Sequence, residues 1–419
     1  MKKNKKIYSC MDDYDPNSIL IEDALSEIKK ISKKMRLFEY VSLSDSFNRV
    51  LYENIKSRLK VPNYDNSAMD GYALNLKDLH SDNKIFSVCG VSLAGSPFNK
   101  KVKSKECVKI MTGAVIPKGA NVVIMKEEIE DLGDNKIKIL SDKIRIKQNI
   151  RFSGEDIKKN RIILKKDQVI NSASMGLLAS QGINKIKVYR NPKVSFFTSG
   201  DEVVQIDKKL PHGKVHDSNR YTLLGMLKKN NVSFLDLGHA LDNKKNIKLK
   251  FNEAIRKSDI VISTGGVSVG DADYIKEVVN SLGDINFWKV AVKPGRPLAF
   301  GKIKNTIFFG LPGNPVSVMV TFLLFVLPSI KLLSGQNHIL NYEIALTTTN
   351  LKKRKGRAEF QRGILTIKDN KKYVCSVGEQ GSGILSSMAK ANCLIYLPVE
   401  QGAVKVNDHV KVLCFNNYI

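Results

Sequence analysis

The sequence predicts an α/β multidomain fold: a central doubly wound, mostly parallel sheet, an inserted small β domain before it and a C-terminal β-barrel-like domain after it. Three observations predict it. Over residues 193–335, apolar strand-like runs alternate with amphipathic helical runs, as in a parallel sheet covered on both faces. Over 70–150, short β-like runs are separated by Gly and Pro. Residues 340–419 return to β-rich runs. A chain of 419 residues has room for such a set, at about 100–200 residues per domain.

The elements follow in chain order. Residues 18–34 read as an amphipathic helix, because Ile21, Ala24, Leu25, Ile28 and Ile31 recur at helical spacing. A second short helix is expected around Leu43–Leu51, and Val61-Pro62-Asn63-Tyr64 reads as irregular. Ile85–Val88, Cys107–Met111 and Asn121–Met125 read as strands. Arg151–Arg190 is mixed, with an extended piece at Val169-Ile170 and a helix over Ser172–Gln181, and is expected to pack back on the first helices. The expected domains are therefore 16–60 plus 151–190, an inserted β domain 61–150, an α/β domain 191–337 and a C-terminal β domain 338–419.

In the α/β part, strands are expected at Val194–Thr198, Val232–Leu237 and Ile260–Ser263, alternating with helices at Asn219–Lys229, Asn246–Lys257 and Asp273–Leu282. The last helix carries Ile275, Val278, Val279 and Leu282 on one face. Phe287–Val292, Leu298–Gly301 and Thr306–Phe309 add strands, and an apolar helix from Pro315 closes the unit. The run Val316–Ile330 is interrupted by Pro328 and falls short of the ~20 residues of a bilayer span, so a buried core helix is expected. The C-terminal strands are Tyr342–Thr348, Phe360–Thr366, Tyr373–Val377, Cys393–Leu397 and Val410–Phe415.

Bulk properties narrow the function. The formal charge is +27, from 68 Lys+Arg against 41 Asp+Glu. Lysine is spread thinly along the whole chain together with much Ile and Asn, as A/T-rich coding would produce, and no basic run is interleaved with aromatics; specific nucleic-acid binding is not expected, and the basic field could still steer an anionic substrate. The six cysteines form no Cys-x-x-Cys and no metal-ligand spacing. The basic start Met1-Lys2-Lys3-Asn4-Lys5-Lys6 has no apolar region behind it, so no signal peptide is expected. A cytoplasmic enzyme without a membrane partner is the expectation.

Ligands of open α/β sheets sit beyond the carboxyl ends of the strands. Ser199-Gly200-Asp201-Glu202 follows the first strand, Gly238 and Asp242 the second, and Thr264-Gly265-Gly266-Val267-Ser268-Val269-Gly270, Asp271 and Asp273 the third. Helix N-capping explains Asp271 or Asp273 alone, but carboxylates converging from three strands suggest Mg²⁺. The Gly-rich turn is neither a Walker loop nor a dinucleotide fingerprint; it is a tight turn or a cradle for an oxyanion. Lys289 and Lys293 lie four apart on what reads as one strand, hence on one face: a solvated edge, or a pair that holds an anion. Leu311-Pro312-Gly313-Asn314-Pro315 is a stiff turn that could wall a pocket. His212-x-x-x-His216-Asp217 lies in a non-helical stretch and is a weak metal motif.

Taken together, these segments resemble one family. Tyr64-Asp65-Asn66-Ser67-Ala68-Met69-Asp70-Gly71-Tyr72-Ala73, Met111-Thr112-Gly113-Ala114, Gly154-Glu155-Asp156-Ile157, Thr198–Glu202, Ser263–Tyr274, Lys293–Gly301, Gly310–Ser317 and Phe360-Gln361-Arg362-Gly363 are similar, in order, to the molybdopterin molybdenumtransferases (the MoeA, gephyrin E-domain and Cnx1 E-domain family). The resemblance implies an elongated four-domain homodimer that inserts molybdate into adenylylated molybdopterin and releases AMP with Mg²⁺ assistance. It implies functional roles for Asp70, Thr112, Asp156, Glu202, Asp242, Asp273, Lys289, Lys293, Pro312, Pro315, Arg362 and Ser382. Glu202, Asp242 and Asp273 would hold Mg²⁺ and the pyrophosphate link. Lys289, Lys293, Arg362 and Ser382 would bind molybdate or the pterin phosphate. Ser263, Gly265, Gly266, Ser268 and Gly270 would line the substrate turn, and Asp70, Thr112 and Asp156 would reach the cleft from the other subunit.

Three departures stand out. One arginine, Arg151, precedes Gly154-Glu155-Asp156 where the family often has several. Asn48-Arg49 replaces a usual Gly-Arg, and Gly383-Ile384 replaces His-Ile after Ser382. Competing readings are the molybdopterin adenylyltransferase of the same pathway, itself a possible partner, whose single domain lacks the flanking β domains; a non-catalytic scaffold; and a basic nucleic-acid binder that rests on charge alone.

Overall fold

The computed structural model describes residues 17–35, 37–79, 84–265, 274–337 and 340–419. They form two units, one built from 17–39 with 189–419 and one from 40–188.

The first unit holds the doubly wound sheet. Its elements are α1 (Ile21–Ile31), β1 (Lys193–Ser199), α2 (Ser218–Lys229), β2 (Ser233–Ala240), α3 (Lys244–Lys257), β3 (Ile260–Thr264), α4 (Tyr274–Leu282), β4 (Asp284–Lys289), β5 (Pro297–Ile303), β6 (Thr306–Leu311) and α5 (Pro315–Leu333). The strand order is β2-β1-β3-β6-β5-β4. β2, β1, β3 and β6 are mutually parallel, and β5 runs antiparallel to both β6 and β4. Two reversals make β4 parallel to β6, so β4 also ends on the edge where the other parallel strands end.

Strand alternation sorts the core into two faces. Val194, Phe196, Ile260, Ile262, Phe300, Ile307 and Phe309 pack with α1, α2 and α5. Phe197, Val261, Ala299 and Phe308 pack with Ile247, Phe251 and Ala254 of α3 and with Ile275, Val278 and Val279 of α4. On the second face Phe251 meets Phe197 and Phe308 edge-on at 5.1 and 5.3 Å, a favoured aromatic geometry.

Helix α5 is the spine of the first face. Pro315 starts it at N1, where a missing N–H costs nothing, and Phe322–Val326 form a π-type turn just before Pro328. That register shift absorbs the backbone bond which Pro328 cannot donate. Its 19 residues are long and apolar enough to cross a membrane, but 89% of the apolar window is buried inside the protein.

The C-terminal strands are β7 (Glu343–Thr347), β8 (Ala358–Lys368), β9 (Lys371–Ser376), β10 (Cys393–Leu397) and β11 (His409–Cys414). They close in the order β8-β9-β7-β11-β10 and back to β8, a five-stranded barrel. Ala345, Leu351, Val374, Cys393, Ile395, Leu397, Val404, Val410 and Val412 fill it. Phe360, Leu394, Leu413 and Phe415 face the other way, into the cluster around α5.

The second unit carries a six-stranded sheet in the order Val122–Met125, Gly71–Leu74, Glu106–Ile110, Ile85–Ser92, Lys136–Ile139, Ile129–Gly133. Its core is Tyr72, Leu74, Phe86, Cys107, Val122, Ile124, Ile137 and Ile139. A separate cluster unites Leu51 with Leu164, Ile170, Leu178, Ile183, Ile186 and Val188.

Two local expectations change. The first helix belongs with the α/β unit and not with 151–190, because Ile21, Ala24 and Ile28 are buried among the residues of α5 and the sheet. No helix forms over Leu43–Leu51; the stretch is turns, with Val50 and Leu51 bridged to Val169 and Val188. Asn48 has φ of 61° there, which no helix can continue. The position needs the left-handed region, which asparagine adopts more readily than most non-glycine residues.

Candidate active site on the carboxyl edge of the sheet

Read along the edge where the parallel strands end, the residues change character. Asp242 follows β2, Glu202 follows β1, and Gly265 follows β3. Pro312 and Pro315 follow β6, and Lys289 ends β4. From β1 to β4 is four strand spacings, roughly 19 Å at about 4.8 Å each. Carboxylates thus occupy one end and cations the other.

The acidic end is tied together locally. The backbone N–H of Asp242 donates to Asp201 Oδ1 at 3.2 Å. Burial raises the Asp242 carboxyl above its ordinary range, and the nearby charges of Asp201 and Glu202 push it further up. Carboxylates that crowd in this way favour a proton or a cation. Hard oxygen donors suit Mg²⁺, which is held through one or two carboxylates together with substrate phosphates, so the donor set fits. Asp273, the third expected ligand, lies outside the described residues, as do Gly266, Ser268 and Gly270.

Two glycines shape this end. Gly200 has φ of 134°, and a Cβ there would fall 2.6 Å from Glu202 Oε2. Gly265 has φ of 86°, and its Cβ would lie 2.7 Å from the backbone oxygen of Ser199. Gly265 also donates its N–H to Leu311 O at 3.2 Å, which ties the start of the Gly-rich turn to the proline turn. Ser263 and Thr264 are buried, and their hydroxyl oxygens have no hydrogen-bond partner among the described residues.

Two more titratable residues lie near the acids, Asp217, which belongs to the His-x-x-x-His-Asp segment, and His239, which no sequence motif marks. Asp217 caps α2, accepting the N–H of Arg220 at 3.0 Å, and also accepts the Thr198 hydroxyl. His239, next to last in β2, lies opposite Thr198, after a register shift in the β1–β2 pairing. Burial lowers its imidazole pKa, against the raising influence of Asp217, Asp242, Glu202 and Asp201. Its signal was its position, one strand over from Ser199. His216 Nδ1 lies 3.2 Å from Gln205 O, and among the described residues no group of three His, Cys, Asp or Glu is close enough to hold a metal.

At the middle of the edge the proline turn is clamped from both sides. Asn219 Nδ2 donates to Gly313 O at 2.7 Å. Asn314 Nδ2 donates to Ser382 Oγ at 3.0 Å, and Val316 N–H to Ser382 O at 3.2 Å. Pro312, Pro315 and Ser382 therefore form one patch at the start of α5.

Arg362 builds that patch. It is fully buried. Its Nη2 donates to Glu379 O and Gly381 O, each at 3.0 Å, and its Nε to Ser387 Oγ at 2.9 Å. Much of the guanidinium is thus committed to the loop that presents Ser382, a scaffolding role the sequence did not reveal.

The lysines sit differently from the expectation. Lys289 ends β4, whereas Lys293 lies on a separate two-residue strand, Val292–Lys293, that runs parallel to Ala358–Glu359 of the barrel. The single strand is broken because Val290 donates back to Arg296 O and Val292 to Val290 O. Both lysines remain on the same edge, by topology and not by strand parity. Lys293 Nζ is 3.4 Å from Glu359 Oε1.

In the second unit, Asp70 and Thr112 are brought together. Asp70 Oδ1 accepts the Thr112 N–H and hydroxyl, both at 2.7 Å, and the backbone bond chiefly lowers its pKa. Asp156 is exposed on the turn after Gly154. Asp65 Oδ1 accepts Ser153 N–H at 2.7 Å, and Gly154 N–H donates to Pro62 O at 2.9 Å. The Asp65–Ala73 motif thus folds against the Gly-Glu-Asp turn. Lys60 Cδ comes within 3.5 Å of where a Gly154 Cβ would stand, so a lysine lies beside the turn that has few arginines.

A chain that joins a doubly wound α/β sheet to a closed β-barrel and, in its other unit, a six-stranded sheet is a multidomain member of the molybdopterin-binding proteins. Residues 19–182 match the MoeA N-terminal region (domain I and II), 195–332 a probable molybdopterin binding domain, and 345–415 the MoeA C-terminal region (domain IV). The chain belongs to the molybdopterin molybdenumtransferase (MoeA) family. It is 44% identical to the molybdopterin molybdenumtransferase of Haemophilus influenzae over 91% of this chain and 95% of that one. It is 33% identical to that of Nostoc over 90% and 88%. Among solved structures, the molybdopterin biosynthesis moeA protein of Pyrococcus horikoshii OT3 superposes with a TM-score of 0.79 at 27% identity, covering 95% of this chain and 100% of that one.

Proposed function

We propose that this chain inserts molybdate into adenylylated molybdopterin and releases AMP, yielding molybdenum cofactor. The observation that carries the reading is the polarity of the sheet edge, with carboxylates beyond β1 and β2 and cations beyond β4. An elongated substrate with a phosphoanhydride and a separate oxyanion-accepting end needs two such unlike subsites. Glu202 and Asp242, with Asp273, would hold Mg²⁺, which when bound neutralises the phosphoanhydride and the departing phosphate. Lys289, Lys293 and Ser382 would position molybdate, with Arg362 fixing the Ser382 loop. Catalysis is then largely positioning and electrostatic stabilisation. Asp70, Thr112 and Asp156 would complete the site from a second copy, so a homodimer is part of the proposal. The free thiols Cys89, Cys107, Cys375, Cys393 and Cys414 support a cytoplasmic location, where the adenylyltransferase that makes the substrate would be a natural partner.

The test is to mix the purified protein with adenylylated molybdopterin, Mg²⁺ and molybdate. AMP release that requires both the oxyanion and Mg²⁺ is expected. A folded protein that releases none, or that instead consumes ATP and free molybdopterin, sinks the reading in favour of the adenylyltransferase. Glu202→Gln should lower turnover by about 100-fold or more, the scale of losing one electrostatic stabiliser, with the melting temperature unchanged.

A further inference from the structure

Glu359 is a buried carboxylate for which the proposed chemistry has no use. It is 4% exposed, on the barrel strand β8, and both of its oxygens are engaged. Oε1 lies 3.4 Å from Lys293 Nζ, and Oε2 accepts Gln361 Nε2 at 3.0 Å. Gln361 is itself 5% exposed and donates to Lys352 O at 2.9 Å. The backbones of Lys293 and Glu359 are register partners in a parallel ladder. Beyond Lys293, the turn is pressed on α5, with the Cβ position of Gly295 2.5 Å from Thr321 Cγ2.

A buried carboxylate is costly unless it is paired and hydrogen-bonded. Here the pairing runs outward, from the barrel to the half-exposed ammonium of Lys293. Lysine is a point charge on a flexible four-carbon stem, so a site that needs its charge at one place must tether it. An ammonium has three donors. One directed at Glu359 leaves two for an oxyanion, and the backbone ladder keeps the tether in register.

We propose that Glu359 is a positioning residue: through the chain Gln361–Glu359–Lys293, the C-terminal barrel fixes the Lys293 ammonium for the molybdate oxyanion. The inference rests on the reading of Lys293 given under the proposed function. It gives the barrel a task at the site that does not depend on its stability.

Steady-state AMP release with the full chain tests it. Glu359→Gln keeps the shape and removes the charge. It should raise the KM for molybdate about tenfold, and leave kcat and the KM for adenylylated molybdopterin within about twofold. In a Lys293→Met background it should add nothing, because its target is gone. A wild-type molybdate KM for Glu359→Gln, or losses that multiply with Lys293→Met, overturns the proposal. Lys293→Met alone separates the two readings. If it leaves the molybdate KM unchanged, the anion role of Lys293 fails; if it raises KM while Glu359→Gln does not, this inference alone fails. Should Glu359→Gln not fold by circular dichroism, Glu359→Asp carries the test. That charge is retracted by one methylene, so a smaller rise in molybdate KM at unchanged kcat supports the tether, and a wild-type KM overturns it.

Discussion

Asp242 shows how a single residue records the purpose of its surroundings. Its carboxyl is raised by burial and by Asp201 and Glu202, so the folded chain holds that proton more tightly than the unfolded chain does. The sign follows from linkage: stability from this group is full below the ordinary aspartate pKa and is lost as pH rises through the raised one. Once ionised, Asp242 is therefore a liability that a bound cation would relieve. Asp242→Asn should raise the melting temperature by on the order of 1–3 °C at pH 7, an advantage that vanishes below about pH 4, while AMP release collapses. Added Mg²⁺ should raise the wild-type melting temperature more than that of the variant. A variant that melts lower at pH 7 but not at pH 4 would contradict this account.

At the scale of elements, turns and loop anchors decide whether the subsites exist. Gly265 joins β3 to the Gly-rich turn in the left-handed region, with the Ser199 carbonyl pressed against it. Gly265→Ala should cost about 2 kcal/mol or more in urea unfolding, from the left-handed penalty of about 1–2 kcal/mol plus the backbone collision. Arg362 anchors the Ser382 loop with three donors to Glu379 O, Gly381 O and Ser387 Oγ. Arg362→Lys retains charge but not the planar fork. At about 1.5–3 kcal/mol for each charged hydrogen bond, it should destabilise the chain by roughly 2–4 kcal/mol and raise the molybdate KM. Retention of both wild-type stability and wild-type KM would mean that the loop does not depend on the guanidinium.

For the whole molecule, the charge of +27 sets a long-range field around a site that takes anions. Exposed charges are screened within about 10 Å at 0.1 M salt. Raising ionic strength from about 0.05 to 0.5 M should lower kcat/KM about tenfold, chiefly through KM, as for a steered substrate. RNA binding under the same conditions should be weak, salt-sensitive and indifferent to sequence. Tight sequence-selective binding at physiological salt would instead revive a nucleic-acid role for the charge.

Much of this was legible along the chain. The strand–helix alternation over 193–335 determined the doubly wound sheet, because apolar periodicity is a local property that burial on one face enforces. The same logic set Glu202, Asp242 and Gly265 at strand ends. It failed where local signals compete. Leu43–Leu51 has a helical apolar pattern, but Asn48 takes a left-handed turn; α1 has a clear face, but its partner is the distant α5. The lysine pair was placed on one strand because spacing cannot reveal that the chain changes sheets between Lys289 and Lys293. The resemblance implies an anion role for Arg362, and sequence carries no burial to show how much of its guanidinium is committed to the Ser382 loop. The sequence by itself determined the elements, the motif residues and the family; the tertiary structure alone decided the order of strand ends along the edge, the burial of Arg362 and the meeting of Glu359 with Lys293. Contacts between residues tens of positions apart arise from sheet order and barrel closure, which no local pattern encodes.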